Sequence, residues 1–442
     1  MLPPATTVPK AIQLARWLKN PAPVLEESQA RFGDIFTLRM TYVPNFVVLS
    51  DPDLVKEVFS AAPDELHAGK ANVVLQPFLG DHSLLMLDGA EHLRHRKLLL
   101  APFHGERLST YGDAMLNSAL KSIARWPDTR AFTLHAEFQE ITLDIIIRTV
   151  FGMDDEQRAA NMAHAMRETL DLATNPLLLV PALQVDLGPL SPWGKFMRKR
   201  KAADALFYAE LQRRREDQDT SRHDILSLLL RARDDDGSAM SDLELRDQLV
   251  TLLVAGHETT ATALAWTFRW LLANRSLYRE LENEVLASTE NGKLIAERLA
   301  KLPLLDAVIR ESLRLQPVVP MVGRVVQKPM KLAGYDLPEG TVIGPSIYLI
   351  QRRHGLYQDP SKFDPRRFIE RKFSPHEWFP FGGGIRRCIG MAFALYEMKM
   401  IIGAVIARTS LLLDETTPPA MVRRSITLAP KGGVRVKVQK RR

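Results

Sequence analysis

Apolar positions repeat with a helical period over most of the chain. The longest such stretch opens at Ser241, whose spacing to Glu244 suits a capping box, and it meets no proline or strong breaker before Asn274. That predicts one helix of about 30 residues, roughly 45 Å at 1.5 Å per residue. LVTLLVAG and TATALAWTF make it apolar on most faces, so it should pass through the core. LPLLDAVIRESLRL and MAFALYEMKMIIGAVIA carry the same period. Alternation by twos is scarcer. DIFTLRM (34–40) and NFVVLS predict a hairpin around a VPN turn, and Asp51 with Pro52 starts a helix. SITLAPKGGVRVKV reads as strand, with valines alternating with Arg435 and Lys437 after a Gly432–Gly433 turn. The expected class is mainly α with minor β. No Gly/Ser-rich or Pro-rich linker and no internal repeat divides residues 1–442, so one domain is expected.

Composition narrows this further. Apolar residues make up 46% and charged residues 25%, an ordinary soluble balance. MLPPATTVPKAIQLARWLKNP holds no apolar run long enough for a signal peptide or membrane anchor, so a cytoplasmic protein is expected. The net charge of +7 is a modest excess. MRKRK (197–201) and RRR (213–215) read as solvated helix faces. Glu216 and Asp217 follow directly, no nucleic-acid motif accompanies them, and no nucleic-acid partner is expected.

The only cysteine, Cys388, sits in FPFGGGIRRCIGMA (379–392). A lone cysteine is ordinarily a small buried hydrophobe. Here Gly382, Gly383 and Gly384 leave no side chain between the loop and a flat partner. The helix that begins just after Cys388, together with Arg386 and Arg387, favours a thiolate. One thiolate cannot build a structural zinc site or an iron–sulfur cluster. It suffices as the axial ligand of haem, whose porphyrin supplies four ligands. A nucleophilic Cys/His enzyme stays open on these residues alone.

FGGGIRRCIG resembles the haem-ligand signature of the cytochrome P-450 superfamily, F-x-x-G-x-R-x-C-x-G, filled here by Phe381, Gly384, Arg386, Cys388 and Gly390. The resemblance implies a triangular helical prism with small β-sheets, haem b as cofactor and Cys388 as its metal ligand. Phe381 would pack beside the sulfur. Three other stretches match in the family's order. EHLRHRKLL is similar to the helix that contacts the haem propionates, which with VPMVGRVV gives His92, Arg96, Arg324 and Arg386 around two carboxylates. AGHETT (255–260) matches the oxygen-activation motif: Ala255 and Gly256 at the haem face, Glu258 and Thr259 as the acid–alcohol pair that governs proton delivery. Without the family, Thr259 would bond back to the preceding turn and Glu258 would snorkel outward. Glu311 and Arg314 of ESLR look like the family's E-x-x-R helix, and FDPRRF adds Arg367 to a structural triad.

The resemblance implies a monooxygenase that uses O2. A P-450-fold peroxygenase or isomerase and a non-catalytic haem protein are the rivals. No fused reductase is evident. Electrons would come from a ferredoxin or flavodoxin with its NAD(P)H-dependent reductase, docked on Arg387, Arg94 and Lys97. By family position the substrate pocket would be lined by Phe78, Leu84, Thr251, Val254, Pro320, Val322 and Ile426, with an apolar flap at LLLVPALQVDLGPL (177–190). No charge cluster is evident there. A medium-sized apolar substrate is expected: a terpenoid, a steroid or a fatty acyl chain.

Overall fold

The structure is a computed structural model that describes residues 1–103, 107–173, 178, 184–188, 191–217, 219, 221–415 and 417–442. The expected flap at 177–190 lies largely outside the described residues.

Helix dominates. The long apolar stretch forms one helix, Asp242–Ala273, of 32 residues. The Ser241 side chain accepts from the Glu244 N–H, and the Glu244 carboxylate accepts from the Ser241 N–H, so both members of the capping box are formed. This central helix is buried along most of its length and packs against Leu134–Thr149, Pro303–Leu315 and Met391–Arg408. The contact with Leu134–Thr149 is tight because Gly256 has no side chain. A Cβ there would lie 2.9 Å from Ile146 Cδ1. Gly256 thus serves helix–helix packing directly. Ala255, next to it, is exposed in the middle of the buried helix.

The early hairpin pairs Ile35–Leu38 with Phe46–Leu49 in antiparallel register, Ile35 opposite Leu49. It forms one edge of a five-stranded sheet, in the order Ile35–Leu38, Phe46–Leu49, Val342–Pro345, Arg324–Val326, Leu66–His67. The helix Pro52–Ser60 follows, and the Asp51 side chain accepts from the N–H groups of Asp53 and Leu54.

The C-terminal strands form as expected, on either side of Gly432–Gly433, but in different sheets. Thr427–Pro430 pairs with Met421–Arg424, whereas Arg435–Arg441 pairs with Thr409–Leu413. Both glycines take positive φ (74° and 72°), and a Cβ on Gly433 would sit 2.1 Å from Thr133 Cγ2. The turn carries the chain from one sheet to another past a close neighbour, which period-two alternation cannot report. Nor is RRR a solvated face throughout. Arg214 is 5% exposed. Its guanidinium donates to Glu210 Oε1 at 2.9 Å, to both Asp224 oxygens at 3.0 and 2.9 Å, and to the carbonyls of Phe151 and Gly152. Those carbonyls lie about sixty residues back along the chain and Asp224 ten residues on, beyond the helix, so the local run of arginines gives no sign of them.

Candidate active site

Three segments carry the expected site residues, and the first holds the cysteine. Gly390 caps the helix Met391–Arg408, so Cys388 stands just before its N-terminus. The Cys388 N–H donates to the Phe381 carbonyl at 3.0 Å, and the Gly390 N–H points at the sulfur. By surface area Cys388 is exposed. Yet the fold encloses it, and burial pushes the thiol up against the opposing pull of the Gly390 N–H, Arg96 and Arg387. Exposed surface and deep enclosure coexist only for a side chain that faces inward. The glycines before it have another task besides leaving room. A Cβ on Gly383 would lie 2.2 Å from the Phe59 ring, and one on Gly384, where φ is +64°, 2.3 Å from the Phe59 carbonyl oxygen. They seat the loop on the helix Pro52–Ser60.

The second segment is Gly89–Leu100, which carries His92 and Arg96. His92 is 1% exposed and its Nδ1 has no hydrogen-bond partner. Burial, then Arg386, Arg96 and Arg324, pull it down to about 3. Arg324 and Arg386 are each pulled down to about 10, chiefly by burial. Burial and Arg387 lower Arg96. The one carboxylate found bonded to this cluster among the described residues is Asp88, which pairs with Arg386. Asp88 is shared with the N–H groups of Ala68, Gly69 and Lys70. Among the described residues Arg324 donates only to the carbonyls of Gly323 and Gly383, at 2.8 and 3.4 Å. Four basic groups thus crowd together with too little negative charge, and one has an orphaned buried nitrogen. That arrangement calls for anions, and a haem's two propionates beside a thiolate ligand fit it.

The third segment is the central helix. A cavity of about 350 Å³ runs along it past Thr251, Val254, Ala255, Glu258 and Thr259, and takes in Phe78 and Ile426. Of the other expected lining residues, Leu84 is 7% exposed in the main core, Pro320 is buried with its carbonyl accepting the Tyr348 N–H, and Val322 packs beneath the five-stranded sheet. None of the three lines the cavity. Leu84 still bridges the segments. Its N–H donates to Gln248 Oε1 at 3.1 Å and its carbonyl accepts from Arg386 at 3.2 Å.

The cavity walls are also more charged than the sequence suggests. Arg167, Glu140, Asp171, Arg200, Asp204, Arg246 and Arg424 reach it alongside Glu258. Most come from the helices Glu156–Ala173 and Pro192–Glu216, which no motif marks. Several pair off: Arg246 with Asp204 at 2.5 Å, Arg424 with Glu258 at 3.2 Å, Arg167 with Glu140 at 2.9 Å. The walls therefore present paired charges around leucine, phenylalanine and methionine side chains.

The acid–alcohol pair is held from several sides. The Thr259 hydroxyl donates to the Ala255 carbonyl. Glu258 does not snorkel outward. It accepts from Gln139 Nε2 at 2.6 Å and faces Arg424, and burial raises its carboxyl while Arg424 and Gln139 oppose the rise. Sequence reasoning missed Gln139 and Arg424, neither of which lies in a recognisable motif.

Behind the loop, Glu311 and Arg314 are both fully buried. Arg314 grips the two Glu311 oxygens at 2.6 and 2.9 Å, and Arg367 reaches Glu311 at 3.1 Å. Arg314 also donates to the carbonyls of Gln351, Pro360 and Lys362. The expected docking cations are less free than supposed. Arg94 is held by Asp234 and Glu244 at 2.7 and 2.8 Å, and Lys97 pairs with Asp235. Arg387 is exposed and donates to Met391 Sδ.

The family model described as Cytochrome P450 matches residues 2–438. The chain belongs to the cytochrome P450 family. It is 37% identical to the putative cytochrome P450 135B1 of Mycobacterium bovis, over 99% of this chain and 91% of that protein. It is 35% identical to the putative cytochrome P450 135A1 of Mycobacterium tuberculosis, over 99% and 95%. Among solved structures it is similar to a retinoic acid bound cyanobacterial CYP120A1, with a TM-score of 0.88, 26% identity and 99% of both chains covered. This P450 is therefore a haem-thiolate monooxygenase, mainly helical with small sheets. Among its described residues no helix is long and apolar enough to cross a membrane.

Proposed function

We propose that this P450 inserts one oxygen atom from O2 into a C–H bond of an apolar small molecule, with electrons from a separate ferredoxin or flavodoxin and its reductase, in the cytoplasm. The observation that carries the reading is the cavity of about 350 Å³ lying against Ala255, Glu258 and Thr259. Its charged wall residues are largely paired with one another, so its net demand is for apolar surface. The similar cyanobacterial protein holds retinoic acid, a ligand of that character.

When bound, haem b supplies the iron that binds and activates O2. Cys388 would ligate it. His92, Arg96, Arg324 and Arg386 would hold its propionates, and Glu311, Arg314 and Arg367 would brace the segment behind the loop. Phe78, Val254 and Ile426 keep the substrate's carbon skeleton dry. Thr259 places a hydroxyl at the cavity wall, and Glu258 behind it holds a proton to a higher pH than an ordinary carboxyl because it is buried.

A spectral screen of terpenes, steroids and fatty acids for the ferric low-spin to high-spin shift tests the substrate class. Positive compounds are then turned over with a surrogate ferredoxin, its reductase and isotopically labelled O2. One labelled oxygen atom in an apolar product is the expected result. Turnover with peroxide alone, or a spin shift only with highly polar compounds, contradicts the reading.

A further inference from the structure

The helix Leu134–Thr149 lays a row of polar side chains against the central helix, deep beside Glu258. Thr142 meets His257 Nδ1 at 3.0 Å, Gln139 donates to Glu258, and His135 completes the row. His135 is 4% exposed. Its Nε2 lies 3.1 Å from Thr262 Oγ1 and 3.8 Å from Glu258 Oε1. No cofactor group or substrate-lining role explains an imidazole there, since His135 does not line the cavity. At its backbone end it packs against the Gly432–Gly433 turn: a Cβ on the buried Gly433 would lie 3.3 Å from His135 Cβ, and Gly432 next in the turn is exposed. His135 therefore stands between an outer turn and the one carboxyl that the oxygen motif places at the cavity.

We propose that His135 is the proton-relay partner that reloads Glu258. The proposal rests on the assignment of Glu258 to proton delivery. After Glu258 gives up its proton toward Thr259, the His135 Nε2–H proton moves to Glu258 Oε1 as Nδ1 takes up a proton supplied by bulk solvent. The ring stays neutral, ends as the Nδ1–H tautomer, and returns to the Nε2–H form by proton exchange with solvent before the next delivery. A neutral ring suits this. Burial, with Arg424 next, pulls His135 down to about 4. The charged and titratable groups facing it are Glu258 and His257 from the central helix and Arg424 from the C-terminal hairpin, with Arg167 and Asp171 of Glu156–Ala173 behind them. The gap of 3.8 Å is longer than a hydrogen bond, so transfer needs a small swing of the Glu258 carboxyl away from Arg424. His135 touches neither substrate nor cofactor in this role and acts through Glu258.

Two readouts test this. The first needs no turnover. In the reduced, carbon-monoxide-bound protein with nitrogen-labelled histidine, the His135 signal should report a neutral ring from pH 7 to pH 5 and should shift on Glu258→Gln. A His135 signal indifferent to Glu258→Gln overturns the proposal. The second is coupling. His135→Phe and His135→Gln should release several-fold more peroxide per NAD(P)H than the unaltered chain, with an unchanged substrate spin shift. In a Glu258→Gln background, His135→Phe should add nothing. Full coupling in His135→Gln shows that an amide suffices and overturns the relay, as does an undiminished effect of His135→Phe in the Glu258→Gln chain. Product formation by the unaltered chain separately reports whether the monooxygenase reading itself holds.

Discussion

Replacing Glu311 by Gln should destabilise the fold far more than its spacing suggests. On a solvated helix, an acid and an arginine three residues apart contribute a few tenths of a kcal/mol. Here both side chains are fully buried. Glu311 accepts two bonds from Arg314, one from Arg367 and one from the Asp364 N–H at 2.8 Å. The amide keeps the shape but removes the charge, leaving the Arg314 guanidinium buried without its counter-ion. Breaking such a pair costs about 3–5 kcal/mol. At about 2 °C per kcal/mol for a chain of this size, the thermal midpoint should fall by roughly 6–10 °C. Far-UV circular dichroism of the holoprotein measures it. Glu280→Gln is the control. Glu280 pairs with Arg366 at 3.0 Å, but both are about half exposed (50% and 62%), so its loss should cost about 0–1 kcal/mol. If both variants melt within about 2 °C of the unaltered chain, burial does not give the Glu311 cluster its weight and the reasoning fails.

Gly383→Ala should cost about 1–3 kcal/mol, because its backbone is extended (φ −156°) and the only obstacle is the Phe59 ring. Adding Phe59→Leu in the same chain should recover part of the loss in urea unfolding, and purely additive costs would rule out the clash. Thr259→Ala should bind substrate and accept electrons normally but divert reducing equivalents to peroxide. Unchanged coupling would count against a proton role for that hydroxyl. Stability should also depend on pH through His257, which burial pulls down to about 3. Because the unfolded form takes up the proton first, stability should be full above about pH 6.5 and decline toward pH 3, at up to about 1.4 kcal/mol per pH unit. Comparing urea unfolding at pH 7 and pH 5, His257→Gln should lack this part of the slope. An equal slope in both proteins would refute it.

Much of the fold is local in origin and could be read from the chain. The capping box at Ser241, the Asp51 cap and the early hairpin are all set by neighbours a few residues apart. The cysteine loop, Glu311 and AGHETT are equally compact. What stayed hidden is non-local. Arg424 reaches Glu258 across more than 160 positions, and Asp88 meets Arg386 across nearly 300. Arg214 looks like one of three surface arginines until the Phe151 and Gly152 carbonyls are seen over it. The charged cavity wall was missed for the same reason, since its members are gathered from several separate elements, and Arg167, Asp171, Arg200 and Asp204 lie on two helices that carry no signature. The glycines before Cys388 show a subtler limit. Their presence is readable, but only the packed structure shows that Phe59 occupies the space they leave.

The central claim is that Cys388 carries the haem iron as a thiolate ligand. The direct measurement is the Soret absorption of the reduced protein under carbon monoxide, recorded for the unaltered chain and for Cys388→His, whose imidazole can still hold the iron. The account predicts a strongly red-shifted band in the unaltered chain and its replacement by a histidine-type band in the variant. A variant that binds haem and keeps the red-shifted band would contradict it.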